Sequence, residues 1–417
     1  MKLLRAVDEL LPCFRSPFSH RATYEWFVLL LFSLLLREQA AGVTSCVNAL
    51  GLSVRQYRNA LHFFHSTTFS ALDLSRYWLS ALLSQSYLKR LNGQLVFVAD
   101  GIKTSKEGQR MPGVKRLHQE SQDNSKPEWI RGHLFGMLAL LTGLGSHLFA
   151  TPVAVELHDG LIDAEPQSIV DRMARLAAAL MPRGSYLVLD AYYTAANFLQ
   201  AIRSAGLNAI TRARINTVAY RPLPPRTTAR SVGRPKRWGE RVQLKALFEQ
   251  LETFTRVELN MYAEHRWALY RVIDLHWDSA DVLVRFVLTK TPDGARYILL
   301  STDVSLAPEQ ILLAYSWRFK IEVSFRALVH TMVGFGYHFW SKVETKAAMV
   351  GHNIDLSRLA ASSARLVKRK LEAYQRFVTM AAIAMGILQH LALTMKDQVW
   401  ASFPYWLLTR GDTPSEA

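Results

Sequence analysis

The chain has 417 residues, of which 50% are hydrophobic and 20% are charged. This composition can bury enough apolar surface to fold, so disorder throughout the chain is excluded, and the length suits two or three domains of about 150 residues each. The 50 Lys and Arg residues outnumber the 34 Asp and Glu residues, which gives a formal net charge of +16. Such an excess favours a polyanionic partner, either nucleic acid or an acidic membrane surface.

The cysteine content and the apolar runs of the sequence indicate the cellular compartment in which the protein is expected. Cys13 and Cys46 are too few for a disulfide framework and lack the spacing of a zinc site, which indicates a reducing cytoplasm. Residues 24–36 form an apolar run, but it is shorter than the roughly 20 residues that a membrane-spanning helix needs. We therefore expect a buried helix and a cytoplasmic protein. A membrane-associated protein is the alternative that this run leaves open.

Residues 1–90 show helical periodicity and almost no strand pattern, which predicts an all-helical N-terminal domain. Within it, residues 43–64 suggest a short helix, a turn at residues 51–53 and a second helix that begins near Val54. This pattern is typical of a helix-turn-helix that binds DNA. Two core helices joined by a glycine turn would give the same pattern, so both interpretations stay open.

From Gln94 the pattern changes to strands. Three predicted strands are followed by a helix, a strand, a helix and a strand, which predicts an α/β core with a mixed sheet. In chain order these elements cover residues 93–101, 131–143, 147–160, 168–181, 185–193, 195–206 and 207–214.

A basic segment interrupts this core. Residues 212–245 hold ten Lys and Arg residues against the single acid Glu240, with four prolines, so they cannot form a packed core. Strand patterns follow at residues 267–277, 282–290 and 296–303, which predict a β-rich insertion that ends near Asp303. Helical periodicity then resumes at Pro308 and lasts nearly to Pro404.

Two predicted strands end in an aspartate. LVFVAD ends at Asp100 and YLVLD ends at Asp190, each after four or more apolar residues. A carboxylate at the rim of a sheet is costly to bury unless a cation neutralises it. If the two strands lie side by side, both acids meet at one place, where their hard oxygen ligands suit Mg²⁺ or Mn²⁺. The alternative is that each aspartate only begins a turn.

A third acid follows from helical geometry. Tyr315, Arg318 and Glu322 stand at offsets of 0, 3 and 7 residues, which at about 100° per residue places them within about 60° of one another on a helix. Arg326 extends the same stripe. Ion pairs on a solvated helix surface would give this pattern too. The opposite, apolar flank consists of Leu313, Ile321 and Leu328.

Three sequence blocks carry a family resemblance. They are VADGIKTSKEGQRMPGVKRLHQESQDNSKPEWIRGH at residues 98–133, LVLDAYYT at residues 187–194 and YSWRFKIEVSFR at residues 315–326. Together the blocks resemble bacterial insertion-sequence transposases of the DDE type, in the broad IS-four superfamily. The third block has that group's Tyr-x-x-Arg-x-x-x-Glu signature. The lysine that follows seven residues later in the extended signature is replaced by Val329. Its phosphate contact would therefore be lost or would be supplied by Lys320, Arg326 or His330.

The resemblance implies a fold and a reaction. It implies an RNase H-like catalytic core at residues 91–214 and 304–350, a basic β-rich insertion at residues 215–303 and a helical C-terminal region at residues 351–417. Asp100, Asp190 and Glu322 would be the catalytic residues and would hold two Mg²⁺ or Mn²⁺ ions. The reaction would be metal-dependent cleavage at the ends of a mobile element and strand transfer in cut-and-paste transposition. A catalytically inactive DNA-binding protein derived from a transposase is the alternative.

The same resemblance assigns the partners. The protein would bind terminal inverted repeats and target DNA as a homodimer, without a membrane, and would be nucleoid-associated when bound. Arg318 would clamp a phosphate and Tyr315 would position the substrate, while Trp267 would stack on a flipped base or else be a core residue. SVGRPKRWG, which includes Arg234, resembles a minor-groove hook. The remaining predicted DNA contacts are Lys103, Lys106, Lys115, Arg131, Lys236, Arg237 and Arg326.

Overall fold

The computed structural model places most of the chain. It describes residues 2–37, 42–106, 108, 110–119, 127–145, 147–158, 161–162, 168–223, 237–261, 264–277, 281–342, 354–402 and 413–414. Two compact units divide the chain. The first combines residues 1–88, 100–169 and 320–417, and the second combines residues 89–99 and 170–319. The four domains expected from the sequence remain a prediction.

The helices cluster at the two ends of the chain and alternate with strands between them. They are α1 (Lys2–Leu10), α2 (Arg21–Leu36), α3 (Gly42–Ala49), α4 (Val54–Phe64), α5 (Ala71–Leu83), α6 (Ile169–Leu180), α7 (Ala196–Ser204), α8 (Pro308–Trp317), α9 (Phe319–Arg326), α10 (Ala361–Thr394) and α11 (Lys396–Ser402).

The strands occupy the middle of the chain, as the sequence predicts. They are β1 (Arg90–Leu91), β2 (Gln94–Ser105), β3 (Lys115–His118), β4 (Trp129–Leu144), β5 (His147–Leu157), β6 (Leu161–Ile162), β7 (Tyr186–Val188), β8 (Asn208–Ala213), β9 (Val218–Tyr220), β10 (Arg241–Gln243), β11 (Thr255–Met261), β12 (Glu264–Trp277), β13 (Val282–Lys290), β14 (Arg296–Ser301) and β15 (Ile354–Asp355).

The first unit is built around helix α10. This helix packs on β5, α2 and α5. Trp78 of α5 donates its indole N–H to the carbonyl of Pro152 at 2.8 Å, and Gly386 of α10 leaves room for the Trp78 ring. In the same unit β4 pairs antiparallel with β5 along most of its length and with β3 at its N-terminal end. The predicted helix in the apolar run is α2, which buries Phe27, Leu30, Leu31 and Leu34.

Helix α10 is the candidate membrane span among the described residues. It is long and apolar enough to cross a membrane, but 83% of its most apolar stretch is buried inside the protein. That burial is typical of the central helix of a folded core.

The two helices and the turn predicted for residues 43–64 are present in the first unit. Helices α3 and α4 are joined by a turn in which Gly51 has a φ of 61°. Helix α4 buries Ala60, Phe63 and Phe64. Contact of these helices with DNA stays a prediction.

The second unit holds a mixed sheet. Strand β7 is parallel to both β2 and β8, and β8 is antiparallel to β14. From β14 the sheet continues through β13 to β12, which also pairs with β11 and β9. Strands β12, β13 and β14 match the three strands predicted for the insertion. The chain order of strands and helices from β2 to β8 is that of the predicted RNase H-like core, and the fold class is confirmed.

The prediction of continuous helix from Pro308 nearly to Pro404 is wrong in part. After α9 a single π-helical turn covers Ala327–Thr331, and described residues 332–342 are not helical. Val333 has a φ of 45°, and Gly334 and Gly336 follow within three residues. Two glycines so close together disfavour a helix. Among the described residues, the next helical turn is a 3-10 turn at Leu356–Arg358, and α10 follows it.

Candidate active site

Asp190 lies two residues after the end of the buried strand β7, in the second unit. One carboxylate oxygen, Oδ1, accepts the backbone N–H of Tyr192 at 2.9 Å. The carbonyl of Asp190 accepts the Thr211 hydroxyl at 2.7 Å, which ties the turn to β8. Asp190 therefore begins a turn, as in the alternative considered for each aspartate from the sequence. This turn fixes the position of its carboxylate at the end of the strand.

Asp100 belongs to the first unit and lies within strand β2, which continues to Ser105, so the prediction that this strand ends at Asp100 is wrong. The five residues before it, Leu95 to Ala99, are buried, whereas Asp100 is partly exposed. Its Oδ1 accepts the N–H of Gly101 at 2.7 Å. The buried strand therefore delivers a carboxylate to a more accessible position.

Strands β2 and β7, which lead to the two aspartates, lie side by side. Strands β2 and β7 are parallel, and Val98 is paired with Val188. Each aspartate follows its paired valine by two residues along the chain.

Glu322 lies in the first unit on helix α9, with its side chain exposed. Its neighbours Ile321, Ser324 and Phe325 are buried, and the Ser324 hydroxyl donates to the carbonyl of Ala150 in β5 at 2.7 Å. Arg326 is exposed one turn further along. The buried flank holds α9 in place and leaves Glu322 accessible.

The signature motif does not lie on one continuous helix, so that prediction is wrong. Helix α8 ends at Trp317, and the N–H of Arg318 bonds to the carbonyl of Tyr315, three residues back. This tightened turn interrupts the helix before α9. Tyr315 therefore belongs to the last turn of α8, and Arg318 is the residue that follows this helix, both in the second unit.

Tyr315 lines a cavity of about 630 Å³ within the second unit. Residues of β8, β11, β12, β13, β14 and α8 surround it. Four of its walls are aromatic or cationic side chains, namely Trp267, Tyr297, Tyr315 and Arg212. A volume of this size is within the range of small-molecule sites.

The electrostatics of this cavity centre on the phenol of Tyr315. Burial raises its pKa, the positive charges of Arg318 and Arg212 oppose that rise, and the negative charge of Asp190 adds to it. The net result is a raised pKa, so the phenol keeps its proton at neutral pH. Tyr315 can therefore donate a hydrogen bond beside Asp190, and it is poorly suited to act as a nucleophile.

Trp267 stands on β12 with 37% of its surface exposed. The guanidinium of Arg256, on the neighbouring strand β11, lies 4.8 Å from the centre of its ring. Across the cavity, Arg212 lies 4.6 Å from the centre of the Tyr297 ring. Trp267 is thus partly open to a ligand, and it is not the core residue of the alternative interpretation.

Sequence reasoning missed Arg212 and Tyr297 as members of this cavity. Arg212 was visible only as one cation of the basic segment, and Tyr297 only as part of a strand pattern. Strand pairing brings them together. Leu299 of β14 pairs with Arg212 of β8, and Tyr297 precedes Leu299 by two residues on β14. Such pairing between distant segments leaves no local signal in the sequence.

The predicted contacts of the first block separate into two groups. Lys103, Lys115 and Arg131 are at least partly exposed near strand β3, and the Lys103 ammonium donates to the carbonyl of His118 at 2.7 Å. Lys106 is different, and its prediction as a phosphate contact is wrong. Its ammonium is buried, donates to the carbonyls of Phe335 and Tyr337, and has a pKa that burial lowers to about 8.

Part of the basic segment lies outside the described residues. This applies to Arg234, Lys236 and the SVGRP part of the proposed hook. Arg237 is described, and it forms an ion pair with Asp281 at 2.6 Å and lies against the Trp238 ring. An interaction with DNA would have to compete with that ion pair.

No group of three or more His, Cys, Asp or Glu side chains within the described ranges is arranged to hold a metal ion. The chemistry of the three acids nevertheless suits one. Carboxylate oxygens are the ligands that Mg²⁺ and Mn²⁺ prefer.

Comparisons with known proteins give one sequence match. Residues 153–274 match the family described as DDE superfamily endonuclease, a span that includes Asp190 and Trp267. No curated protein matches the chain. The solved structure of a piggyBac transposase synaptic complex with hairpin DNA is similar at 10% identity and a TM-score of 0.32, over 93% of this chain and 77% of that one. The family match covers less than a third of the chain, and it supports the resemblance to DDE transposases at the level of the superfamily. Membership of the IS-four group stays a prediction.

Proposed function

We propose that this protein is a transposase of the IS-four group that cuts DNA at the ends of a mobile element and joins those ends to target DNA. The observation that carries the proposal is the position of Asp190. It stands at the end of a central strand, inside the matched endonuclease span, with its charge acting on the signature residue Tyr315. A carboxylate held at that place by its own turn is suited to catalysis.

Asp100, Asp190 and Glu322 are the proposed catalytic residues. The parallel register of β2 and β7 supports the pairing of the first two, and the accessible face of α9 supports the third. Together they would hold two Mg²⁺ or Mn²⁺ ions. Bound metal ions would stabilise the negative charge that develops at the scissile phosphate.

The proposed chemistry consists of two displacements at phosphorus. In the first, a water oxygen bonds to the phosphorus at the element end and the 3′ oxygen leaves as a free hydroxyl. In the second, that hydroxyl oxygen attacks a phosphorus of the opposite strand or of target DNA, and the displaced 3′ oxygen leaves. Neither step needs a covalent bond between protein and DNA, which agrees with a protonated Tyr315 that only positions the substrate.

The cavity in the second unit is the proposed site of an unpaired base next to the cut. Trp267 and Tyr297 offer aromatic faces, and aromatic side chains that stack on bases stabilise extruded nucleotides. Arg212 and Arg318 supply positive charge around Tyr315 for the adjoining phosphates.

Lys103, Lys115, Arg131 and Arg326 are proposed phosphate contacts, together with Arg234, Lys236 and Arg237 of the basic segment. The proposed partners are terminal inverted repeats and target DNA, bound by a homodimer in the cytoplasm at the nucleoid. A charge of +16 supports a polyanionic partner of this kind.

The test is cleavage of DNA that bears the element ends, in the presence of Mg²⁺. Asp100→Ala and Glu322→Ala should abolish cutting and retain DNA binding. Glu309→Gln is the matched control, because Glu309 accepts a hydrogen bond from Tyr270 at the other end of α8 and has no proposed part in catalysis. Cutting that survives Asp100→Ala and Glu322→Ala would refute the site. Binding without any cutting by the wild-type protein would instead favour an inactive, DNA-binding descendant of a transposase.

A further inference from the structure

The N-terminal end of β4 and the short strand β3 form a two-stranded ribbon in the first unit. The ribbon consists of Lys115–His118 and residues 129–132, which pair antiparallel. One of its faces is apolar. Leu117 and Ile130 are paired on that face and pack with Leu134 and Ile169 in a small buried cluster.

The other face of the ribbon carries charge and aromatic surface. Because side chains alternate along a strand, Arg116, His118, Trp129 and Arg131 share this face. Trp129 is 42% exposed, the Arg116 guanidinium lies 4.4 Å from the centre of its ring, and the His118 ring lies 4.8 Å away.

Arg116 and Arg131 are directly paired across the two strands. Like charges in that arrangement repel and destabilise a sheet. Among the described residues neither arginine forms an ion pair with a carboxylate, whereas His118 does contact Glu128. Within the described ranges, two opposed guanidinium groups therefore lie on an exposed face without a carboxylate partner.

Protection of an edge strand explains only part of this face. Charged residues on an edge strand prevent pairing with other chains, and Lys115 or a single arginine would serve that purpose. It does not explain a second arginine directly opposite the first, or an exposed tryptophan beside this pair. An anion that bridges the two arginines would remove their repulsion.

We propose that the ribbon is a docking surface for the sugar-phosphate backbone of duplex DNA, with Arg116 and Arg131 on the phosphates and Trp129 against the sugars. A two-stranded ribbon is of a size that the major groove admits. The Lys103 ammonium, which bonds to the carbonyl of His118, extends the positive surface beside it. The inference rests on the proposed function only in that DNA is the polyanion, and it is independent of the cleavage chemistry.

The test measures binding of a duplex of arbitrary sequence over a range of salt concentrations, with Glu322→Gln present in every protein so that no cutting occurs. Arg116→Ala with Arg131→Ala should weaken binding and lower the slope of log affinity against log salt by about 1.8, because each phosphate contact contributes about 0.9. The matched control is Arg21→Ala with Arg76→Ala, which also removes two surface arginines but takes them from helices where each has a carboxylate partner.

A second variant separates binding from folding. Arg116→Glu places an acid opposite Arg131, so it should raise the melting temperature of the free protein and still weaken DNA binding. A slope equal to that of the control pair would overturn the proposal. So would a lower melting temperature for both ribbon variants, since that result would make the arginines structural. If the protein shows no nuclease activity but the salt slope changes as stated, the proposed docking surface is supported and the proposed cleavage function is not.

Discussion

Substitution of Trp267 tests the cavity of the second unit. Trp267 forms one wall of a space of about 630 Å³, and its exposed ring faces a volume that the protein itself does not fill. Base stacking on an aromatic side chain stabilises a complex by about 1–3 kcal/mol. Since about 1.4 kcal/mol corresponds to a tenfold change in affinity, Trp267→Ala should weaken binding of an extruded base by about 5- to 150-fold.

The assay compares two DNA duplexes of the same sequence, one fully paired and one with an unpaired base next to the element end. Wild-type protein should prefer the second duplex, and Trp267→Ala should lose that preference while it retains affinity for the paired one. Trp267→Phe should retain most of the preference because the phenyl ring still offers an aromatic face. Trp238→Ala is the control for the ratio, since Trp238 also belongs to the insertion but contacts His276 and does not line the cavity. Because Trp238 lies in the proposed hook, any loss of affinity through that segment should be equal for the two duplexes.

The reasoning is refuted if Trp267→Ala keeps the wild-type ratio of the two affinities. It is also refuted if Trp238→Ala lowers that ratio as much as Trp267→Ala does, because the effect would then come from general disturbance of the insertion.

Three further predictions concern the site and the core. Tyr315→Phe should reduce the cleavage rate about 10- to 150-fold without weaker DNA binding, because it removes a hydroxyl that bonds with Arg318; an unchanged rate would exclude a positioning role. Because the pKa of Tyr315 is raised, wild-type cleavage should show no loss from this group up to about pH 9. Lys106 has a folded-state pKa of about 8 against 10.5 for a free lysine, so the unfolded chain binds more protons between those values. The free energy of unfolding of the wild type, relative to Lys106→Met, should therefore increase as pH rises through that window, and a pH-independent difference would contradict the burial of the charge. Gly386→Ala should destabilise the first unit by about 1–3 kcal/mol, since the new methyl group would lie 2.6 Å from the Trp78 ring. Thermal melting measures this cost, which should be smaller in a Trp78→Phe background. An equal cost in that background would contradict the assignment of the clash to the Trp78 ring.

Local patterns were sufficient for most of the secondary structure. Strand β13 begins and ends where its apolar run does, and the helices α6 and α7 follow from their periodicity. Local sequence patterns failed where the same pattern is compatible with two backbone conformations. Around Arg318 the helical spacing continues in the sequence while the backbone turn tightens, and near Val333 two glycines end a helix that the apolar residues alone would extend.

The site was predictable to a different degree. Asp100 and Asp190 could be found because each directly follows a run of apolar residues, and Tyr315 and Glu322 because they form a recognisable motif. The sequence alone does not distinguish Lys106 from Lys103, because the two lysines stand three residues apart in the same stretch of the chain. In the structure the side chain of Lys103 is partly exposed, whereas that of Lys106 is buried against the carbonyl of Tyr337. Opposed arginines such as Arg116 and Arg131 depend on strand register, which the sequence did not supply.

The central claim is that three acids hold metal ions for cleavage of DNA, and a thiol substitution tests it most directly. Asp190→Cys replaces a hard oxygen ligand by a softer sulfur, which binds Mg²⁺ poorly and Mn²⁺ better. Single-turnover cleavage of element-end DNA by Asp190→Cys should be lost in Mg²⁺ and partly regained in Mn²⁺, while Asp190→Ala stays inactive with both ions. Cleavage by Asp190→Ala at the wild-type rate, or the same activity of Asp190→Cys with either ion, would contradict the claim.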